Sequence, residues 1–451
     1  MWLIIQESNP IWYFDATGSI IKKVRNQIMP FLYSIVMHDK KNKSIIPVAE
    51  FISSCQNETW ISHNLYFIKS IFLHNIIEKN KFKLAPLMVT DFCFALINSI
   101  HSAFNGCSLL QYLVWTHDYL MKKRLDLKNH ILVRTYLCST HFLKSLSVKA
   151  KKILSKHKEK EVCSNILRTF LLSFTLLQNS TNVKEFDDNL KDLFYVFNSK
   201  TQNESFIAAM MRVRVKLSNR EAQSLCFPDQ PNEKEKIDLE MKNAIFSKEI
   251  QTGLINNSPY TKYYENILKN LNDSIETCKT SNQRNLLFDP GLFNLINDQL
   301  YIAPLWSGML IGTWQMQEFQ EITYTRLSNN PVENHFGHTK NNLLKKRDKM
   351  PSEFCSLQYE RLQYKYFMDY HVDFQSNNKP QKIKENQEQW RKDLKIKREK
   401  GFYYKSFSNF GMNESFEINR TIYTDKIVES GFDNILSATG KFLLLLILFL
   451  K

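Results

Sequence analysis

Ile11-Trp12-Tyr13-Phe14 run without a break into Asp15, and the next four residues, Ala16-Thr17-Gly18-Ser19, are all small. An apolar run this short, closed by a turn signal, reads as a strand buried on both faces. This stretch constrains the fold more than any other, because a strand covered on both sides has to lie inside a layered sheet. Asp91 repeats the pattern, closing Pro86-Leu87-Met88-Val89-Thr90 just before a helical pattern begins. A carboxylate at the end of such a strand has little to pair with in the strand itself. If the two strands are neighbours, both carboxylates stand at one edge of a sheet.

The order of elements around these strands supports that arrangement. After the Ala-Thr-Gly turn, Ser19–Val24 reads as a second strand and Phe31–His38 as a third, joined by turns short enough for an antiparallel meander. Pro47 then opens a helical reading through Val48, Phe51 and Ile52. A second helix starts at Glu58, with Ile61, Leu65, Ile68, Phe72 and Ile76 on one face. The strand ending at Asp91 follows, then helices over Phe94–Phe104 and over 108–124, and a last strand, Ile131–Leu137, ending in Cys138. Three strands, a helical crossover, a strand, helices and a strand is the order of the ribonuclease H-like fold. The expected class is therefore α/β (α+β), a mixed sheet flanked by helices.

From Lys144 to about Leu300 the patterns are almost all helical: Ile166–Leu177, Phe186–Phe197, Phe206–Arg214, a polar stretch Asp229–Lys248, Tyr260–Leu271 and Leu292–Ile302. They read as a large all-helical insertion into the sheet domain. The expected organisation is a first part of the core over 1–150, the insertion over 151–303, a helix completing the core over 304–345, and a basic, partly disordered extension over 346–451. Within that extension Lys382–Lys400 carries eight Lys or Arg against four acids, a charged helix, a mobile arm or a plain solvated face.

Sixty Lys and Arg against forty-five Asp and Glu leave a formal charge of +15 over 451 residues. An excess of this kind concerns partners rather than fold, and favours a polyanion such as nucleic acid or an anionic membrane; a Lys-rich genome would also produce it. The eight cysteines show no paired framework and Met1–Ile5 has no basic leader, so the thiols are expected to be reduced and the compartment intracellular. The apolar run Phe442–Leu450 is less than half of the about 20 residues a membrane span needs. A buried end, a membrane-surface contact or an accident of the reading frame fits it better than a tail anchor.

A third acid stands in Ser328-Asn329-Asn330-Pro331-Val332-Glu333-Asn334-His335-Phe336-Gly337. Asn330 suits a helix cap and Pro331 the first helical position, which puts Glu333 on the first turn. Alone, Glu333 there could simply complete a capping box by reaching back to the cap's N–H. In company with Asp15 and Asp91 it offers a third carboxylate. Three such groups can hold two Mg²⁺ ions, which prefer oxygen ligands. Two ions about 3.5–4 Å apart stabilise both the attacking and the leaving oxygen of an in-line phosphoryl displacement. For each aspartate the plain alternative is an ordinary turn carboxylate.

Phe14-Asp15-Ala16-Thr17-Gly18-Ser19, Thr90-Asp91-Phe92 and Asn330–Gly337 together resemble the DDE motifs of Mutator-like (MULE) transposases. That superfamily has a Cys-x-x-His signature between its second and third acids, matched here by Cys138-Ser139-Thr140-His141, and a helical insertion before the last acid. The resemblance covers roughly residues 10–345. It implies that Asp15, Asp91 and Glu333 are catalytic metal ligands for two Mg²⁺ or Mn²⁺ ions. Cys138 and His141 would be an accessory pair, with a buried thiol and a helix-start histidine as the bland alternative. His38, His335 and His338 would stand behind the site at best. DNA is the implied partner, with no small-molecule substrate and no membrane, a homodimer as an option, and the nucleus as the compartment.

Family members usually carry an N-terminal zinc-binding recognition domain and many a C-terminal Cys-x-Cys zinc motif; neither pattern stands in this sequence. The rival to a strand-cleaving enzyme is therefore a transposase-derived DNA-binding protein without catalysis. A third reading, a helical scaffold whose acids are caps and turns, expects the three carboxylates far apart.

Overall fold

The computed structural model describes residues 10–23, 29–39, 44–74, 84–122, 131–155, 160–221, 251–277, 283–311, 327–344, 348–366 and 443–445. The polar stretch Asp229–Lys248, the basic run Lys382–Lys400 and most of Phe442–Leu450 lie outside them.

The apolar run becomes strand β1, Ile11–Thr17. It pairs antiparallel with β2, Phe31–Asp39, which pairs antiparallel with β3, Ser44–Ser53. On its other side β1 runs parallel to β4, Leu87–Thr90, and β4 runs parallel to β5, Arg134–Leu137. The order β5-β4-β1-β2-β3 puts β1 at the centre of a mixed sheet, the ribonuclease H-like arrangement. Leu443–Leu445 adds a short strand, β6, on the outer edge of β3.

Both faces of the sheet are covered, as the unbroken apolar runs require. On one face Trp12, Phe14, Tyr33, Phe51 and Met88 pack under helix α1, Glu58–His74, and helix α2, Phe94–Ile100. Tyr33 and Phe51, direct cross-strand partners, stack with ring centroids 4.7 Å apart. Helix α2 continues into a wider turn, His101–Asn105, closed by Gly106 in the left-handed conformation that glycine adopts without penalty. On the other face Ile11, Tyr13, Leu32, Val36 and Val89 pack under α11, Asn330–His338, and α12, Pro351–Tyr366.

Two local readings of the sequence are corrected. The segment from Pro47 is strand β3, not a helix. Its residues from Pro47 to Ser53 are all buried, and the register skips Val48 between the pairs Ile35–Ala49 and Val36–Pro47. That bulge gives Pro47, which has no N–H to donate, a place in a sheet, and the helix-like spacing of Val48, Phe51 and Ile52 is what a doubly buried strand also produces. Ser19–Val24, read as a strand, begins instead at a left-handed Ser19 (φ 58°), which turns the chain out of β1. Ile20 and Ile21 then bury against the second face, where Ile21 bridges Lys349.

The rest is helical. Helix α3, Leu109–Lys122, leads into β5, and α4, Ser139–Leu154, leaves it. Then come α5, Lys160–Gln178; α6, Val183–Asn198; α7, Glu204–Glu221; α8, Pro259–Thr277; α9, Pro290–Asn297; and α10, Ala303–Trp306. Their common core closes on Trp306, which stacks on Phe142 (5.5 Å) and Phe174 (5.1 Å) and donates its indole N–H to the Gln299 carbonyl. Phe142 belongs to α4, so the helix that leaves the sheet edge is also built into the helical core. Among the described residues no helix is long and apolar enough to cross a membrane.

Candidate metal centre

The centre forms where β1, β4 and β5 end together. Phe14 pairs with Thr90 in the parallel register, so Asp15 and Asp91 are the next residues along adjacent strands, with backbones about 5 Å apart. Asp15 points to the same face as Ile11 and Tyr13, the face that α11 covers. Its Oδ1 accepts the Ala16 N–H at 2.7 Å.

Residues from further along the chain close the site. The Cys138 N–H donates to the Thr90 carbonyl (2.8 Å), which ties the end of β5 beside Asp91. Helix α4 starts there and brings His141 over the edge. The His141 Nδ1 lies 2.7 Å from Asp91 Oδ1, and its Nε2 lies 3.4 Å from Glu333 Oε1. The strip before α11 is pinned to the same place. Ser139 N–H donates to the Leu327 carbonyl (2.8 Å), Asn329 N–H to Cys138 Sγ (3.2 Å), and the Asn329 side-chain amide to Asp91 Oδ1 (3.3 Å).

All five residues picked from the sequence thus lie at one edge: Asp15, Asp91 and Glu333, with Cys138 and His141 between them. The capping alternative for Glu333 does not describe the site. Asn329 rather than Asn330 precedes the helix, its side chain is turned to Asp91, and the Glu333 carboxylate faces His141.

The electrostatics are those of crowded carboxylates. Burial and the neighbouring Asp91 push the Asp15 carboxyl well above its usual range. Glu333 is also raised, by burial and Asp91 against the opposing pull of His141 and Lys144. Burial works against a charged His141, but the hydrogen bonds and charges of Asp91 and Cys138 outweigh it and lift the imidazole to about 11. A protonated His141 between two acids offsets part of the negative charge. The three carboxylates, partly open to solvent at Asp91 and Glu333, offer oxygen donors of the type that Mg²⁺ and Mn²⁺ prefer, while among the described residues the ligand atoms gathered within 4.8 Å of one another are those of Asp91, Cys138 and His141.

The sequence reading missed a second polar cluster on the same face. Ser34 lies opposite Asp15 on one side and opposite Glu50 on the other, so these three form a row across β1, β2 and β3. Glu50 is fully buried and accepts from Ser34 Oγ (2.8 Å) and Gln358 Nε2 (2.7 Å), with His335 Nε2 2.7 Å away. Burial would raise its carboxyl, but His335 and the other two donors hold it below the usual value. His335, read as standing behind the site, therefore anchors α11 to β3. Of the other two histidines, His38 pairs with Ile45 toward the far end of β2 and His338 closes α11. The one available signal was a lone acid inside an apolar strand, Glu50.

No family model matches the chain. It is similar to the "120.7 kDa protein in NOF-FB transposable element" of Drosophila melanogaster, with 32% identity over 118 residues, 25% of this chain. The match covers 10% of that protein's length.

Proposed function

We propose that the chain is transposon-derived and that it is a DDE-type enzyme of the Mutator-like kind, cleaving and joining DNA strands. The similarity to a transposable-element protein supports the first part. What supports the second is the convergence of Asp15, Asp91 and Glu333 from two neighbouring strands and a helix onto one sheet edge.

On this reading the three carboxylates would hold two Mg²⁺ or Mn²⁺ ions, which would supply stabilisation of the entering and leaving oxygens of an in-line phosphoryl displacement. Asp15 and Asp91 fix the geometry, because neighbouring strands of a central sheet cannot move apart without breaking backbone hydrogen bonds. Glu333 reaches the same edge from α11. His141 orients Asp91 and Glu333 through its two ring nitrogens, and Asn329 holds Asp91 from the other side. The formal charge of +15 favours the phosphate backbone of DNA, through contacts that carry no sequence information. The working compartment would be the nucleus.

The test is nicking of supercoiled plasmid by purified protein with Mn²⁺, against Asp91→Asn. Cleavage by wild type and none by the variant is the expected result. Equal cleavage by both removes Asp91 from the mechanism. Plasmid binding without cleavage by either assigns instead a non-catalytic DNA-binding role.

A further inference from the structure

Cys138 and His141 are one turn apart at the start of α4, and by themselves supply only two ligands. The fold supplies a third. Among the described residues, Asp91, Cys138 and His141 each offer one ligand atom, and these atoms all lie within 4.8 Å of one another. We propose that these three residues form a Zn²⁺ site, distinct in its donors from the all-carboxylate site and joined to it through Asp91.

The chemistry of the donors separates the two. A thiolate and an imidazole are poor ligands for Mg²⁺, which demands oxygen, and good ones for Zn²⁺. Tetrahedral Zn²⁺ with bonds of about 2.0–2.3 Å sets its ligand atoms about 3.5 Å apart. The trio meets that through small side-chain adjustments: the 2.7 Å His141–Asp91 contact opens by less than about 1 Å, and the remaining separations, none above 4.8 Å, need at most a comparable closing. Each ligand also has the outer partner that Zn²⁺ sites use. The Asn329 N–H donates to Cys138 Sγ, and the Asn329 amide to Asp91 Oδ1. Glu333 Oε1 lies by His141 Nε2, which leaves Nδ1 for the metal in a carboxylate–histidine–zinc relay. Three protein ligands leave a fourth position open, which is the pattern of a reactive or exchangeable Zn²⁺ rather than a closed structural one. Because Asp91 serves both ions, Zn²⁺ bound here withdraws it from the Mg²⁺ pair.

The experiment is a titration of the metal-free full chain with Co²⁺, a spectroscopic stand-in for Zn²⁺, followed by displacement with Zn²⁺. Wild type is expected to bind one Co²⁺ with tetrahedral visible bands and a thiolate-to-cobalt charge-transfer band, both lost on adding Zn²⁺. Cys138→Ser is expected to lose the charge-transfer band, His141→Gln to lose tight binding, and Glu333→Gln to weaken it about 10–100-fold. Asp15→Asn is expected to keep the full spectrum, because Asp15 belongs only to the carboxylate set. Absence of the band in wild type, its survival in Cys138→Ser, or its loss in Asp15→Asn overturns the proposal. Circular dichroism checks each fold, and should Cys138→Ser not fold, His141→Gln against Asp15→Asn decides. None of these outcomes depends on DNA cleavage, so this site and the strand-cleavage reading stand or fall separately.

Discussion

His335→Phe is the substitution whose effect follows most directly from the structure. Phe keeps a ring of similar size under α11 but removes Nε2, the group 2.7 Å from Glu50 Oε1. Glu50, with no exposed surface, then keeps Ser34 and Gln358 as donors and loses its imidazole partner. Removing the partner of a buried, ionised carboxylate costs about 3–5 kcal/mol, because the remaining charge stays buried. Arg361 stands behind Gln358, donating to its Oε1 at 3.3 Å, and it also feels Glu50, which places the expectation at the lower end, about 3 kcal/mol. In a folding unit of about 150–250 residues that is a fall in thermal midpoint of roughly 6–12 °C. The cost also depends on pH. His335 holds the Glu50 carboxyl below its ordinary 4.5, so the pair's contribution is present above that value and is lost as pH falls through the lower folded value. The gap between wild type and His335→Phe should therefore close in acid. In a double-mutant cycle with Glu50→Leu, the two losses should fall short of additivity by about 0.5–3 kcal/mol. Thermal unfolding of the four proteins by circular dichroism reads all of this. A His335→Phe protein within about 1 kcal/mol of wild type, and additive with Glu50→Leu, refutes the reasoning.

Four further outcomes are expected. In chelated buffer, Asp15 and Glu333 hold protons more tightly folded than unfolded, so they favour the fold in acid and turn against it as pH rises through their raised values. Asp15→Asn should match wild type near about pH 4 and exceed it near about pH 7 in thermal midpoint; parallel curves contradict the crowding. His141, also raised, acts in the same sense over a higher pH range. Its contribution is complete below its ordinary 6.5 and lost as pH climbs through about 11, so His141→Gln should lower the midpoint at neutral pH and flatten the alkaline fall. Trp306→Ala empties the centre of the helical core and should cost about 3–5 kcal/mol in urea unfolding; a loss under about 1 kcal/mol would mean the core closes elsewhere. DNA affinity should fall steeply with added salt, and a salt-independent Kd would rule out phosphate-dominated contact.

What the sequence made legible follows from how local each signal is. β1, β2, β4 and the helices from Glu58, Phe94 and 108 onward were readable because each carries its own periodicity or unbroken apolar run within one segment. β3 was not, because a strand buried on both faces has no alternation, and Pro47 pulled the reading toward a helix start. The bulge that admits Pro47 is a property of the pair β2–β3, not of either segment. Asp15 and Asp91 could be found because each directly follows an unbroken apolar run, although β1 continues past Asp15 to Thr17 where the sequence suggested a turn. Asn329, Ser34 and Gln358 could not, since each owes its place to a residue distant in the chain, and Glu50 left only the signal of a lone acid in the apolar run that the helical reading of Pro47 obscured.

The position of Glu333 shows why those distant polar contacts matter. Helix α11 has nine residues and only Val332 and Phe336 to bury as apolar anchors. Two apolar anchors a turn apart fix which side of a helix faces the sheet, but they tolerate rolling and sliding by a fraction of a residue. One residue of slip turns a helix by about 100° and would carry Glu333 away from His141. Polar contacts are less forgiving, because a hydrogen bond is lost within about 1 Å and beyond about 60° of misalignment. The chain places such contacts on both flanks of Glu333: Asn329 to Asp91 and Cys138 before it, His335 to Glu50 after it. The first sets the helix start against β4 and β5, and the second sets its rotation against β3. A buried Glu–His pair is a poor way to gain stability compared with well-packed apolar residues. It is an effective way to hold one carboxylate at one angle, and the row from Asp15 through Ser34 to Glu50 ties that angle to the same strands that carry the first acid.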